Sequence, residues 1–191
     1  DLDRANVGPV SAQDSAIRID LRNDLDPRMN LRGQFDGELR DSLGFLTKAD
    51  IGLKDLAETL PIDRTDGRMT AAAEMSLSLT QPAAFKPAYD LKLNLQDLRV
   101  ANYLGGLPVT ASALPVRITP ERIATSGAVK LGKMNADTEL DISLANNKLE
   151  NLSLKAVFSG NTEDAGTLLG FLPDYVKGEV SGDLSFVRDL N

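Results

Sequence analysis

Hydrophobic and polar side chains alternate along most of this chain. Successive residues of a β-strand point to opposite faces, so alternation predicts strands with one buried and one solvated face. Two long runs are residues 69–79, with apolar side chains at the odd positions, and residues 134–144, with mostly apolar side chains at the even positions. Both are longer than the usual strand of about 5–6 residues. We therefore expect long strands with one apolar face.

Further alternating segments raise the predicted number of strands to about ten. They cover residues 17–21, 29–39, 43–53, 89–95, 123–131, 152–158 and 176–186. At Gln96-Asp97 the phase slips by one residue, which indicates a β-bulge or a strand end. The charge-free stretch 100–116 contains two prolines and two glycines and is too short for a membrane-spanning helix. We predict a loop or short turn there.

Residues that tolerate a positive φ angle mark three hairpin turns. Asp66-Gly67 predicts a hairpin ahead of the run that begins at Met69. Gly132-Lys133 has glycine at the first turn position, as a type II′ turn requires, and Asn146-Asn147 fits a type I′ turn. These short connections predict an antiparallel meander.

One segment breaks the alternation. Asn161-Thr162 can cap a helix, and the acidic pair Glu163-Asp164 favours its positive N-terminal end. The apolar stripe Leu168–Leu172 follows, and Pro173 ends the helix. We expect one short helix here.

Together these elements predict an all-β fold with one short helix. The strands would form a long, curved antiparallel sheet that makes an open hydrophobic groove. We interpret residues 1–191 as a single β-rich segment of a longer protein, with sub-units 1–110 and 111–191 as an alternative division. The first residues show no secretory signal peptide.

Charge and missing residue types restrict the chemistry. The 191 residues carry a net charge of −7 and include no His, Cys or Trp. Such a chain has no imidazole base, no thiol nucleophile and no zinc site of the usual type. Its acidic balance disfavours nucleic acid, which binds a basic surface. We expect no catalytic residue, no metal site and no cofactor.

The aliphatic strand faces suit the acyl chains of a lipid. Burial would contribute about 0.8 kcal/mol for each methylene of the ligand. The same pattern also fits the filled core of an ordinary β-sandwich. The candidate lipid-binding residues lie at the apolar positions of the predicted strands: Met75, Leu77, Leu79, Leu91, Leu93, Leu95, Val129, Leu131, Leu140, Ile142, Leu144, Leu152, Leu154 and Phe158.

The stretch ITPERIATSGAVKLGKMNADTELDISLANNKLENLSLKAVFSG, followed by TEDAGTLLGFLPDYVKGEVSGDLSF, resembles the AsmA-like proteins of Gram-negative bacteria. It is most similar to the YhdP-type branch, which is related to TamB. The second piece carries most of the likeness, through an acidic cap, D-x-G-x-LL, V-x-G and a strand of the form G-x-L-S-F. Here these are Asp164, Gly166, Leu168, Leu169, Val176, Gly178, Gly182, Leu184 and Phe186.

The resemblance implies a non-enzymatic protein of the periplasm. Members of the family are anchored in the inner membrane and carry phospholipid along a β-groove toward the outer membrane. It implies phospholipid as the ligand, and inner- and outer-membrane proteins as partners of the full-length protein. The alternatives are a structural or adhesive β-sandwich module of a cell-surface protein with no ligand, then a lipocalin-type barrel, with an enzyme last.

Overall fold

The alternating segments form a single sheet in the computed structural model, which describes residues 2–7, 10–20, 28–48, 61–78, 88–104, 106–145, 148–169 and 177–189. The strands are β1 (Leu2–Val7), β2 (Val10–Asp20), β3 (Arg28–Glu38), β4 (Thr65–Ser78), β5 (Ala88–Leu104), β6 (Leu107–Thr119), β7 (Arg122–Leu131), β8 (Met134–Ala145), β9 (Lys148–Asn161) and β10 (Glu179–Asp189). The helices are α1 (Leu39–Lys48) and α2 (Thr162–Leu169), with a 3-10 turn at Ile62–Arg64.

Each strand pairs with the next one along the chain, so the order in the sheet runs from β1 to β10. Every pairing is antiparallel. For eight strands, β3 to β10, the structure also describes the side chains. The predicted fold class, all-β with one open antiparallel sheet, is confirmed.

The predicted phase slip is a β-bulge inside β5, which continues to Leu104. Asp97 has a φ of 50°, and the pairing with β4 shifts between Asp66 and Arg68. Gly67 lies opposite this bulge with a φ of 133°, and a Cβ there would come within 2.7 Å of the Gln96 carbonyl oxygen. The hairpin predicted at Asp66-Gly67 is wrong, because these residues lie inside β4.

The Gly132-Lys133 hairpin is confirmed. Leu131 of β7 pairs with Met134 of β8, and the φ of Gly132 is 60°. The turn predicted at Asn146-Asn147 lies outside the described residues, although its flanking residues Ala145 and Lys148 pair across β8 and β9.

Two other predictions need correction. The strand predicted over residues 43–53 is wrong for residues 43–48, which belong to α1. The buried side chains Leu39 and Ser42 and the half-buried Leu43 follow helical spacing. The loop predicted over residues 100–116 is also wrong, because β5 and β6 cover almost all of it as a hairpin.

The helices lie at one end of the sheet. Because alternate strands run in the same direction, α1 after β3 and α2 after β9 reach the same end. Leu39 of α1 is fully buried in the cluster that contains Met69. Ala165 of α2 is fully buried against Leu131 and Met134. The predicted helix is therefore confirmed over Thr162–Leu169, while residues 170–172 lie outside the described part.

Candidate functional site

The candidate site is the apolar face of the sheet, which one row of directly paired residues defines. In an antiparallel sheet, residues opposite each other on neighbouring strands project from the same face. These pairs continue from β3 to β10 without a break. Eight strands at about 4.8 Å spacing make a row about 34 Å long. This central row consists of Phe35, Ala71, Leu93, Val116, Thr125, Leu140, Leu154 and Phe186.

The adjacent row on this face is also apolar from β4 to β9. It lies two residues away along each strand and is likewise continuous in register. Its members are Ala73, Leu91, Ile118, Ile123, Ile142 and Leu152. The two rows together make a wide surface of aliphatic side chains on which few polar atoms occur.

The predicted lining residues lie on the apolar face wherever the structure describes their side chains. They are Met75, Leu91, Leu93, Leu95, Val129, Leu131, Leu140, Ile142, Leu144, Leu152, Leu154 and Phe158. Leu77 of β4 pairs through its backbone with Met29 of β3, but the side chain of Leu77 lies outside the described set. Leu79 lies wholly outside it.

Sequence reasoning missed the contribution of β6 to this face. Leu114, Val116 and Ile118 alternate with polar-face positions, as in every other strand. The signal was present, but Pro108 and Pro115 made the stretch resemble a loop. Pro115 lies where pairing between β6 and β7 is interrupted, and a proline fits there because it has no N–H to donate to the ladder.

The apolar face is buried at its centre and exposed at β10. Ile142 is only 4% exposed, and Leu93 and Ile118 are similarly buried. On the last strand, Leu184 and Phe186 are 50% and 44% exposed. Apolar side chains are therefore most accessible along β10, while those of the central strands are buried or partly buried.

Two threonines place hydroxyl groups on this face. Thr138 Oγ1 donates a hydrogen bond to the Gly127 carbonyl oxygen at 3.1 Å. Thr125 Oγ1 is buried and has no hydrogen-bond partner among the described residues. A buried hydroxyl without a partner is unfavourable, so Thr125 is an exception within an otherwise satisfied apolar row.

Helix α2 covers the end of this face near β10. Its first N–H, from Thr162, donates to the carbonyl of Gly178 at 3.0 Å, just before β10 begins. Ala165 packs against the cluster that includes Val180. Gly160, at the end of β9, lies close to Met134 of β8. A Cβ added to Gly160 would come within 2.9 Å of the Met134 Cα. The helix is thus packed on the strand ends.

The opposite, polar face carries ion pairs between neighbouring strands. Arg117 of β6 forms two hydrogen bonds of 2.9 Å with the Asp90 carboxylate of β5. This contact lowers the pKa of Asp90 below its ordinary value and raises the pKa of Arg117. Further pairs join β3 to β4, β7 to β8 and β8 to β9: Arg32 with Glu74, Arg68 with Asp36, Arg122 with Asp141, and Lys155 with Glu139.

A shallow concavity of about 660 Å³ opens on the polar face across β5 to β10. Arg99, Lys130 and Ser181 contribute to its walls. Both faces of a twisted sheet are concave along one diagonal, which explains a hollow on the polar side. Val129 and Phe158 of the apolar face also border this concavity.

The described residues were also compared with the side-chain clusters that bind metal ions. No cluster of three or more Asp, Glu, His or Cys side chains suited to a metal ion occurs among them. Burial raises the pKa of the Tyr89 phenol, so this side chain stays neutral at physiological pH. None of the helices in the described part is long and apolar enough to span a membrane.

Comparison with known proteins returned no match to a family model, a curated protein or a solved structure.

Proposed function

We propose that this chain is a periplasmic segment of an AsmA-like lipid-transfer protein. Phospholipid acyl chains would lie on the apolar face and move along it between the inner and outer membranes. No covalent step is required. Anchoring to the inner membrane, and contact with proteins of both membranes, would come from parts of the protein outside this chain. The sequence resemblance of the last 75 or so residues motivates the family.

The observation that carries the proposal is the continuous apolar row that ends in exposed side chains at β10. A soluble domain usually covers such a surface, because contiguous apolar area in water is unfavourable. Each methylene of an acyl chain that replaced water there would contribute about 0.8 kcal/mol. We therefore expect the lipid to enter along β10, beside Leu184 and Phe186, and to pack toward Leu154 and Phe158.

The competing hypothesis is a structural β-sandwich module without a ligand. A sandwich requires two sheets that face each other across about 10 Å. All the described strands belong to one sheet, which favours lipid binding over a sandwich core.

The test is native mass spectrometry of the purified chain after incubation with phospholipid vesicles, followed by lipid extraction. We expect bound phospholipid in the wild type and a severalfold loss in Phe186→Asp. Phe186 is already 44% exposed, so the substitution should leave folding intact, and a thermal melt verifies this.

Val187→Asp is the matched control. Val187 is the next residue of the same strand and projects from the polar face, so this variant should bind lipid like the wild type. A wild-type chain without phospholipid, or equal losses in the two variants, would show that the apolar face does not bind lipid.

A further inference from the structure

One row of polar side chains lines the shallow concavity of the polar face. The row starts in β5 and continues through directly paired residues to β9. Directly paired residues share one face of the sheet, and every member of the row borders the concavity. This polar row consists of Arg99, Thr110, Lys130, Asn135 and Ser159. It brings together two cations, two hydroxyl groups and one amide.

The two cations of the polar row have no carboxylate partner. Five Arg and Lys side chains of the polar face pair with a carboxylate on a neighbouring strand. Neither Arg99 nor Lys130 forms an ion pair with any described residue. Asp66 of β4 lies directly opposite Arg99, but its Oδ1 accepts a hydrogen bond of 2.8 Å from Arg40 Nη2 of α1. An anion in the concavity would therefore meet two cations that no carboxylate already neutralises.

The spacing of the polar row lets both cations reach one ligand. Thr110 lies between Arg99 and Lys130, so the strands of the two cations are about 10 Å apart. Long side chains can extend over Thr110 from either side, and its half-buried hydroxyl can donate to the same ligand. Between Thr110 and Val116 the pairing of β6 with β7 is interrupted. Backbone polar groups that take no part in a ladder bind water or a ligand instead.

The donors of the polar row suit a phosphate group. A guanidinium, an ammonium, a hydroxyl and an amide offer more N–H and O–H groups than the two oxygens of one carboxylate accept. A phosphate monoester presents three acceptor oxygens and a charge of about −1.5 to −2 at neutral pH. Asp97 and Asp137 also border the concavity, and the chain has a net charge of −7. These negative charges repel an extended polyanion and favour a compact ligand that stays within the row.

We infer that the concavity binds a phosphate monoester at the polar row. Arg99 and Lys130 hold the phosphate above Thr110 from opposite sides. Asn135 and Ser159 lie beyond Lys130 along the row and contact the polar remainder of the ester. The polar row and the central row lie on opposite faces of the sheet, so this inference does not depend on the binding of acyl chains.

The test is a titration of the isotope-labelled chain with glycerol 3-phosphate, followed by NMR at constant ionic strength. We expect the amide signals of Thr110 and Lys130 to shift and saturate, and inorganic phosphate to compete. Arg99→Gln and Lys130→Gln should each weaken binding by about fivefold or more, because each removes charge-assisted hydrogen bonds. Both side chains are exposed, so neither substitution should disturb folding, and unchanged signals elsewhere in the spectrum verify this.

Lys92→Gln is the matched control. Lys92 lies on the polar face of β5 and does not border the concavity, so this variant should bind like the wild type. Asp137→Asn should strengthen binding, because it removes a negative charge beside the phosphate. The inference is overturned if no signal saturates, or if Lys92→Gln weakens binding as much as Lys130→Gln. Weaker binding in Asp137→Asn would also overturn it and would indicate a ligand with a cationic group.

Vesicles distinguish the two sources of such a phosphate. Phosphatidic acid in phosphatidylcholine vesicles presents the same monoester as a lipid headgroup. Flotation of the chain that depends on phosphatidic acid and is lost in Lys130→Gln would assign the site to a headgroup. Flotation independent of phosphatidic acid, together with saturable binding of glycerol 3-phosphate, would assign it to a soluble ester.

Discussion

At the scale of single residues, the apolar face contains a hydroxyl that its surroundings do not satisfy. Thr125 lies in the central row between Val116 and Leu140, and its buried Oγ1 has no partner among the described residues. Replacing a buried, unpartnered hydroxyl with a methyl group of similar size removes a desolvation cost. We expect Thr125→Val to raise the free energy of unfolding by about 1 kcal/mol, measured by urea denaturation.

Thr138→Val is the matched control for this prediction. Thr138 lies on the same face of the neighbouring strand, but its Oγ1 donates to the Gly127 carbonyl oxygen. Losing that hydrogen bond should lower the free energy of unfolding by about 1 kcal/mol. If both valine variants are destabilised alike, Thr125 Oγ1 has a partner that stabilises the fold, and our interpretation of this residue is wrong.

At the scale of elements, the strands that sequence reasoning identified best are those with strict alternation and a glycine turn. β7 and β8 were predicted nearly to their ends, because Gly132 marks their hairpin and each apolar position falls on one face. The predicted members of the apolar face followed from the same rule. A period of two determines the face of each residue once a strand is recognised.

Two of the errors occurred where two periods overlap and where proline interrupts the pattern. Leu39 and Leu43 are four residues apart, a spacing that fits both an alternating strand and one face of a helix. Tertiary contact decides between them, since Leu39 is fully buried in the core cluster that contains Met69 and Leu43 packs against that cluster. In β6, Pro115 masked an otherwise regular strand. A local pattern of apolar and polar residues shows neither the tertiary contact of Leu39 nor the pairing of β6 around Pro115.

The helical assignment of residues 39–48 leads to a stability prediction. Leu39 is fully buried in the core cluster, so Leu39→Ala should leave a cavity and lower the free energy of unfolding by about 3 kcal/mol. Val187→Ala removes an apolar side chain that is largely exposed and should change stability by less than about 0.5 kcal/mol. Chemical denaturation of both variants measures this difference. A loss below about 1 kcal/mol for Leu39→Ala would mean that α1 is not packed on the sheet as described.

At the scale of the whole molecule, the two faces of the sheet stabilise the fold through different interactions. On the apolar face, burial of aliphatic side chains stabilises the fold, and this stabilisation depends little on pH. The polar face contributes cross-strand ion pairs, and these depend on the protonation of carboxylates. The sequence pattern predicted both faces, but the burial gradient from the centre to β10 depends on how the sheet twists and on what packs at its ends. An alternating pattern carries no information about either.

The ion pairs of the polar face predict how the free energy of unfolding depends on pH. Arg117 lowers the pKa of Asp90 below its ordinary value of 3.8. On acidification the unfolded chain therefore protonates this carboxyl before the folded chain does. The stability that the pair contributes is present above about pH 3.8 and is lost as the pH falls through the lowered pKa. Urea denaturation between neutral and strongly acidic pH should show Asp90→Asn less stable than the wild type at neutral pH, with the difference shrinking below about pH 3.8.

The partner residue provides the control for this pH profile. Arg117→Gln removes the guanidinium that forms both hydrogen bonds with Asp90, so its stability should also approach that of the wild type in acid. The double variant should lose little beyond either single variant, because the two substitutions remove the same interaction. If the Asp90→Asn curve stays parallel to the wild-type curve through the acidic range, the pair does not stabilise the fold. The pH dependence of the sheet would then come from other carboxylates.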